Sequence, residues 1–230
     1  MIKPDCEKLQ QKMGYRYQDE GLLLQALTHT SFANEQTIHK QKNYERIEFL
    51  GDAVLEMVSS DYFYNHHPDS TEGDLTKMRA AAVCESALAI TASDLGLGEF
   101  IRLGKGEEAT GGRERASILS DVVEALIGSV YLDGGLAPAK EFIHRFVLND
   151  LETKQLFYDA KSNLQELMAQ RGMGEPEYRL LSESGPEHLK VFETCVFAGE
   201  QVLGKGSGRS KKAAQQQAAT AALKLLLEKS

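Results

Sequence analysis

Apolar residues recur with helical spacing through the first 150 residues of the chain. Their side chains fall three or four positions apart, which is the period of an amphipathic α-helix. The segments with this spacing are residues 22–27, 45–58, 75–93 and 118–132. Pro4, Pro68 and Pro138 lie outside these segments, and a glycine-rich stretch at 104–112 marks a further break. The pattern predicts that the front of the chain is all-α.

After residue 150 the pattern changes. A short helix is predicted at 162–170, where Ser162 and Gln165 have the spacing of a capping box. Strand-like segments with turn signals between them come next, and an alanine- and leucine-rich helix closes the chain. The strands are predicted at 177–182, 189–197 and 201–204, and the helix at 211–227. This order predicts a helical domain at 1–152 and a small α+β domain, α-β-β-β-α, at 159–230.

The segment NYERIEFLGDAVLEMV, residues 43–58, carries an unusual set of acids. Because an α-helix turns by about 100° per residue, Glu45, Glu48, Asp52 and Glu56 fall within an arc of about 80°. Most of the remaining circumference is apolar. A solvated helix face is normally broad and mixes charges of both signs. This narrow stripe of one sign therefore needs a counter-charge.

A second helix, predicted at 118–132, repeats the pattern with Asp121 and Glu124 one turn apart. One interpretation is that both helices are ordinary surface helices with exposed carboxylates. If the carboxylates are buried, they must raise their pKa, pair with basic residues or bind a metal. No basic residue shares either stripe, and carboxylate oxygens suit Mg²⁺ or Mn²⁺. Glu48, Asp52, Asp121 and Glu124 could thus form a metal site for phosphoryl chemistry.

The net charge of −8 is unevenly distributed. Residues 161–230 carry ten Lys and Arg against eight Asp and Glu, a net of +2, which leaves −10 for the rest. Arg209, Lys211 and Lys212 cluster where the last helix is predicted to begin, a position unfavourable for cations unless an anion binds there. The cluster therefore predicts a phosphate-binding surface.

Three further polar residues of the back half, Gln165, Glu166 and His188, are candidates for contact with nucleic acid. Groups of this kind can reach the sugar hydroxyls in the shallow minor groove of duplex RNA.

Other features exclude several classes of protein. The composition, 42% apolar and 26% charged, is that of a globular chain, and no apolar run is long enough for a membrane span. Cys6, Cys84 and Cys195 form no C-x-x-C pattern, so we expect thiols in a reducing, cytoplasmic setting. Residues 199–205 fit G-x-x-x-x-G-K, but Gly206 stands where a P-loop needs Ser or Thr. No nucleotide cofactor is therefore expected.

Residues 43–55, NYERIEFLGDAVL, resemble the signature of bacterial ribonuclease III. The segments ALTHTS, EGDLTKMR and SDVVEALIG occur in the order that this family has them, and the back half is similar to a double-stranded-RNA-binding domain. The resemblance covers nearly the whole chain. It implies a homodimeric, Mg²⁺-dependent endonuclease that leaves 5′-phosphate and 3′-hydroxyl ends on double-stranded RNA. Precursors of ribosomal, messenger and transfer RNA are the substrates it suggests.

The resemblance also implies roles for single residues. Those of the nuclease domain are Glu48, Asp121 and Glu124 as metal ligands, Asp52 and Glu124 as catalytic residues, Glu45 and Glu72 as supporting acids nearer the dimer interface, and Phe49 as a packing residue at the subunit contact. Those implied to contact RNA are Ser162, Gln165, Glu166, His188, Arg209, Lys211 and Lys212. Ala169 stands where the family sometimes has a glutamine for RNA contact.

Two other functions are compatible with parts of the pattern. A non-catalytic RNA chaperone or regulator would bind RNA without cleaving it under any divalent metal. A metal-dependent phosphohydrolase acting on small nucleotides would use the back half only for assembly.

Overall fold

The computed structural model describes residues 4–36, 42–149, 151, 160–185, 190–208 and 210–227. The chain divides into two compact units, Met1–Lys154 and Gln155–Ser230. The predicted join at 152–159 lies outside the described residues. Within the described part, no helix is both long enough and apolar enough to cross a membrane.

The secondary structure of the first unit is helical in the residues described, apart from one isolated β-bridge between Thr28 and Arg102. Its helices are α1 (Cys6–Met13), α2 (Glu20–Ala26), α3 (Thr30–Glu35), α4 (Glu45–His66), α5 (Glu72–Val83), α6 (Glu85–Leu95), α7 (Lys105–Ala109), α8 (Ala116–Gly134) and α9 (Leu136–Phe142). Single 3₁₀ turns occur at Leu97–Glu99 and Gly112–Glu114, and a π-helical turn at Ile143–Val147 continues α9.

Helix α8 forms the centre of this unit. Most of its circumference is buried, including Val122, Leu126 and Val130, which have no exposed surface. Helix α4 packs against it and contributes Leu55 and Val58 to the same core. An all-round apolar helix is expected at the middle of a domain, and the polar stripe of α8 is the exception that needs explaining.

The helix predicted at 75–93 is two helices in the structure. Cys84 ends α5 and precedes α6 with extended backbone angles, φ −68° and ψ 159°. Apolar spacing continues across this break, so the sequence pattern did not reveal it. The glycine-rich stretch predicted as a break contains α7. Two ion pairs, Arg113 with Glu108 and Arg115 with Glu107, connect α7 to the turn that follows it.

The second unit has the predicted order of elements. Helix α10 (Ala160–Gln170) precedes strands β1 (Glu177–Ser184), β2 (Val191–Ala198) and β3 (Gln201–Gly208), and α11 (Lys211–Leu227) follows them. The strands form one antiparallel sheet in the order β1-β2-β3. Ser162 lies inside α10, two residues past its start, so the predicted capping box is wrong.

Strand β3 is longer than predicted, because it continues past Gly204 to Gly208. Gly204, Gly206 and Gly208 alternate along it and face α11. A Cβ added at Gly204 would lie 2.3 Å from the carbonyl oxygen of Ala218, and one at Gly206 would lie 2.3 Å from the amide of the same residue. These glycines therefore let the helix lie directly on the sheet.

Candidate functional site

The two acidic stripes meet where α4 and α8 cross. Both helices have a glycine at the crossing. A Cβ added at Gly51 would lie 1.8 Å from the carbonyl oxygen of Glu124, and one at Gly128 would lie 2.2 Å from that of Ile47. No side chain fits between the two backbones, so the helices touch through their main chains. The acids that flank these glycines are thereby brought to the same place.

Three carboxylates converge beside this crossing. Glu48 on α4 and Asp121 and Glu124 on α8 each offer an oxygen, and these oxygens all lie within 4.8 Å of one another. All three side chains are half-buried. A set of three oxygen donors, drawn together with their charges, matches what Mg²⁺ or Mn²⁺ requires of a protein site. We call these residues the three-acid cluster.

The electrostatics of the cluster favour a cation. Burial, and then the charges of Asp121, Glu45 and Asp52, raise the pKa of Glu48 to about 7. Burial, and then the charges of Asp52, Glu48 and Asp121, raise the pKa of Glu124 to about 8. Like charges held this close disfavour one another's ionisation, and a bound dication relieves that cost.

The remaining acids of the α4 stripe lie beside the cluster. Asp52 is exposed, one turn after Glu48, and is the neighbouring charge with the largest effect on the pKa of Glu124. Glu45 is exposed and accepts a hydrogen bond from Asn43 at 2.9 Å. Glu56 forms an ion pair with Arg79 of α5 at 2.9 Å, so this acid of the stripe has a basic partner.

Glu72 lies apart from the cluster within one chain. It begins α5 and lines a cavity of about 420 Å³ whose wall includes Ser60 and Tyr64. The residues from Glu48 to Ser60 span about 18 Å of helix. The sequence did not indicate this separation, because the role of Glu72 as a supporting acid came only from the resemblance to the family.

One residue of the site was not found from the sequence. Tyr44, directly before α4, is 3% exposed, and its hydroxyl donates to Oδ2 of Asp121 at 3.1 Å. A tyrosine that precedes an acidic helix carries no signal of this contact, because its partner is 77 positions away.

In the second unit, the predicted RNA-contact residues occupy two neighbouring helices. Ser162, Gln165 and Glu166 are exposed on α10, and Lys211 and Lys212 are exposed in the first turn of α11. Lys211 forms an ion pair with Glu183 at 3.2 Å. His188 and Arg209 lie outside the described residues.

Two hydrogen bonds show that α10 and α11 run side by side in the same direction. Lys161 donates to the side chain of Gln215 at 2.9 Å near the start of both helices. Arg171 donates to the carbonyl of Leu226 at 2.9 Å, where both helices have ended or are about to end. The first turns of α10 and α11, with Ser162 on one and the two lysines on the other, therefore lie at the same end of the unit.

Each of the two units matches a known protein family. A family model described as Ribonuclease-III-like matches residues 19–151, more than half of the chain. The chain belongs to the ribonuclease III family. Members of this family are endoribonucleases that cleave double-stranded RNA. A second family model, the double-stranded RNA binding motif, matches residues 160–226.

Similar proteins extend this family match over nearly the whole chain. Ribonuclease 3 of Bacillus cereus strain G9842 is 48% identical over 221 residues, 95% of this chain and 90% of the relative. Ribonuclease 3 of Pelotomaculum thermopropionicum is 48% identical over 218 residues, 94% of this chain and 90% of the relative. The chain is thus an endoribonuclease of the two-domain type, with the fold predicted from its sequence.

A solved structure is similar to the first unit. The nuclease domain of ribonuclease III from Campylobacter jejuni is 45% identical, with a TM-score of 0.58, and the match covers 62% of this chain and 96% of that one. That structure is described as flexible in a region involved in dimer formation.

Proposed function

We propose that Glu48, Asp121 and Glu124 hold Mg²⁺, with Mn²⁺ as a substitute, at the site where phosphodiester bonds of double-stranded RNA are hydrolysed. The convergence of these three carboxylates within 4.8 Å is the observation that carries the proposal. When bound, the metal polarises the scissile phosphate and supplies a water of lowered pKa.

The chain's own acids have distinct tasks in this proposal. Glu124 and Asp52 act as catalytic residues: the carboxylate of Asp52, exposed beside the cluster, accepts a hydrogen bond from the attacking water and orients it. Glu45, exposed in the first turn of α4, is a supporting acid beside the three-acid cluster. The expected products carry 5′-phosphate and 3′-hydroxyl ends.

We propose that residues 1–152 form the catalytic domain and residues 159–230 the RNA-binding domain. Lys211 and Lys212 contact phosphates, helped by Arg209 and by the positive end of the α11 dipole. Ser162, Gln165 and Glu166 contact ribose hydroxyls from α10, together with His188. The exposure of the described residues of this set supports the assignment.

A homodimer is the proposed assembly. Phe49, Met57 and Tyr64 are 78%, 49% and 72% exposed, and they fall within about 80° on α4. An exposed apolar stripe of this kind is typical of a protein–protein interface. A two-fold contact with antiparallel α4 helices would set Phe49 of one chain facing the cavity beside Tyr64 of the other. It would also bring Glu72 towards the partner's three-acid cluster.

Maturation of ribosomal, messenger and transfer RNA precursors in the cytoplasm is the proposed cellular role. It is supported by the family of the chain.

The test is cleavage of a long RNA duplex, with products mapped at both ends. Wild-type protein with Mg²⁺ should cut both strands, and EDTA should stop cutting. Glu124→Gln should lower the rate by about 10²- to 10³-fold while leaving duplex binding intact, because it removes a ligand but no RNA contact. Lys211→Ala combined with Lys212→Ala should instead weaken the binding of duplex RNA and make that binding less dependent on salt concentration.

Each alternative function predicts a different outcome of this experiment. Duplex binding without cleavage under any metal would indicate an RNA regulator. Hydrolysis of small nucleotides with no binding of duplex RNA would indicate a phosphohydrolase. Either result would contradict the proposal.

A further inference from the structure

Tyr44 joins the two acidic helices through one residue. Its backbone carbonyl accepts hydrogen bonds from the amides of Ile47 at 2.8 Å and Glu48 at 2.9 Å, which fixes it to the first turn of α4. Its side-chain hydroxyl donates to Oδ2 of Asp121 on α8 at 3.1 Å. Tyr44 therefore connects one cluster acid on each helix.

The ring of Tyr44 has little freedom to move. It is 3% exposed, and the ring of His29 packs against it with 5.6 Å between centroids. The amide of Tyr44 donates to the carbonyl of Thr28 at 3.0 Å, so its backbone is held as well. A side chain fixed in this way presents its hydroxyl in one direction before any ligand arrives.

The hydroxyl acts as a hydrogen-bond donor. The O–H group of Tyr44 donates, and the carboxylate oxygen Oδ2 of Asp121 accepts. This hydrogen bond holds the Asp121 carboxylate in one orientation through its Oδ2 atom.

We infer that Tyr44 is a positioning residue, which orients the carboxylate of Asp121 and thereby strengthens the binding of a divalent cation to the three-acid cluster. This inference rests on the proposed function of that cluster. Partners that hydrogen-bond to a ligating group typically contribute about 10- to 100-fold to metal affinity.

Tyr44→Phe tests this role, because it removes the hydroxyl and keeps the ring. The full chain, free of RNA, is titrated with Mn²⁺ by calorimetry. We expect the dissociation constant to rise by about 10-fold or more. Tyr17→Phe is the matched control: Tyr17 is 6% exposed, and its hydroxyl lies 2.7 Å from that of Ser129, also on α8. It should bind Mn²⁺ as the wild type does.

All titrations are run at a temperature where the circular dichroism of each variant matches that of the wild type. Equal affinity of Tyr44→Phe and wild type would overturn the inference and leave the metal centre standing. Equal weakening by both variants would overturn it too, because the effect would then come from loosening of α8. If wild type binds no Mn²⁺, or if Glu124→Gln binds it unchanged, the proposed metal centre itself fails.

Discussion

Glu48 and Glu124 are the residues whose protonation should govern how the metal-free protein responds to pH. Folding raises their pKa values from 4.5 to about 7 and about 8. Between pH 4.5 and these values, the unfolded chain has released protons that the folded chain keeps. Since the folded state then binds more protons, its stability falls as pH rises. We expect this contribution to the free energy of unfolding to decline up to about pH 8 and then to level off.

Urea unfolding in EDTA at several pH values measures this effect, and Glu124→Gln isolates it from other titrating groups. The stability of the wild type relative to this variant should decrease from about pH 5 to about pH 8. Saturating Mn²⁺ should remove the decrease, since the bound cation holds both carboxylates ionised. A difference between the two proteins that stays constant with pH would contradict the pKa values.

The sequence was informative about single residues where helical spacing alone decides their placement. Glu48, Asp52, Asp121 and Glu124 were predicted to share a site, because each stripe lies on one face of a regular helix, and three of them form the three-acid cluster. Tyr44 could not be predicted in the same way. Its contact with Asp121 depends on how closely α4 and α8 approach, and a single sequence without its fold contains no measure of that distance.

At the scale of elements, the crossing of α4 and α8 should control both stability and metal binding. Gly51→Ala places a methyl group 1.8 Å from the carbonyl oxygen of Glu124, so the helices must separate. Overpacking of this kind costs about 1–3 kcal/mol or more. We expect a loss of that size in the free energy of unfolding, together with weaker Mn²⁺ binding, because the cluster acids belong to different helices.

Gly73→Ala is the matched control for this substitution. Gly73 is also helical, in α5, but the nearest atom to an added Cβ is Oγ1 of Thr71 at 3.9 Å. Here alanine should stabilise the protein by up to about 1 kcal/mol through its higher helix propensity. If Gly51→Ala behaved as this control does, the close crossing would not be needed for the site.

Two mispredicted elements had no clear local signal in the sequence. The extension of β3 to Gly208 depends on close packing against α11. Apolar spacing runs through Cys84 without interruption, and glycine normally weakens a strand. The alternation of Gly204, Gly206 and Gly208 was nevertheless a period-two signal, and it is the feature that could have indicated a strand against a helix.

At the scale of the whole molecule, the exposed stripe of α4 should decide the state of assembly. Phe49 and Met57 present apolar surface that a single chain leaves in water. If α4 pairs with α4 of a second chain about a two-fold axis, each substitution occurs twice in the interface. A buried anchor residue of an interface typically contributes at least about 2 kcal/mol, so Phe49→Ala with Met57→Ala should raise the dimer dissociation constant by well over 100-fold.

Sedimentation equilibrium checks this expectation directly, because the chain mass is 25.4 kDa and a dimer has twice that mass. Leu132→Ala with Leu136→Ala is the matched control, since these residues are 50% and 43% exposed in the same unit but lie on α8 and α9. The control should remain dimeric. The α4 variant should sediment as a monomer and cut duplex RNA slowly, because Glu72 would no longer lie near a partner's three-acid cluster. A monomeric wild type, or dissociation by the control alone, would place the assembly surface elsewhere.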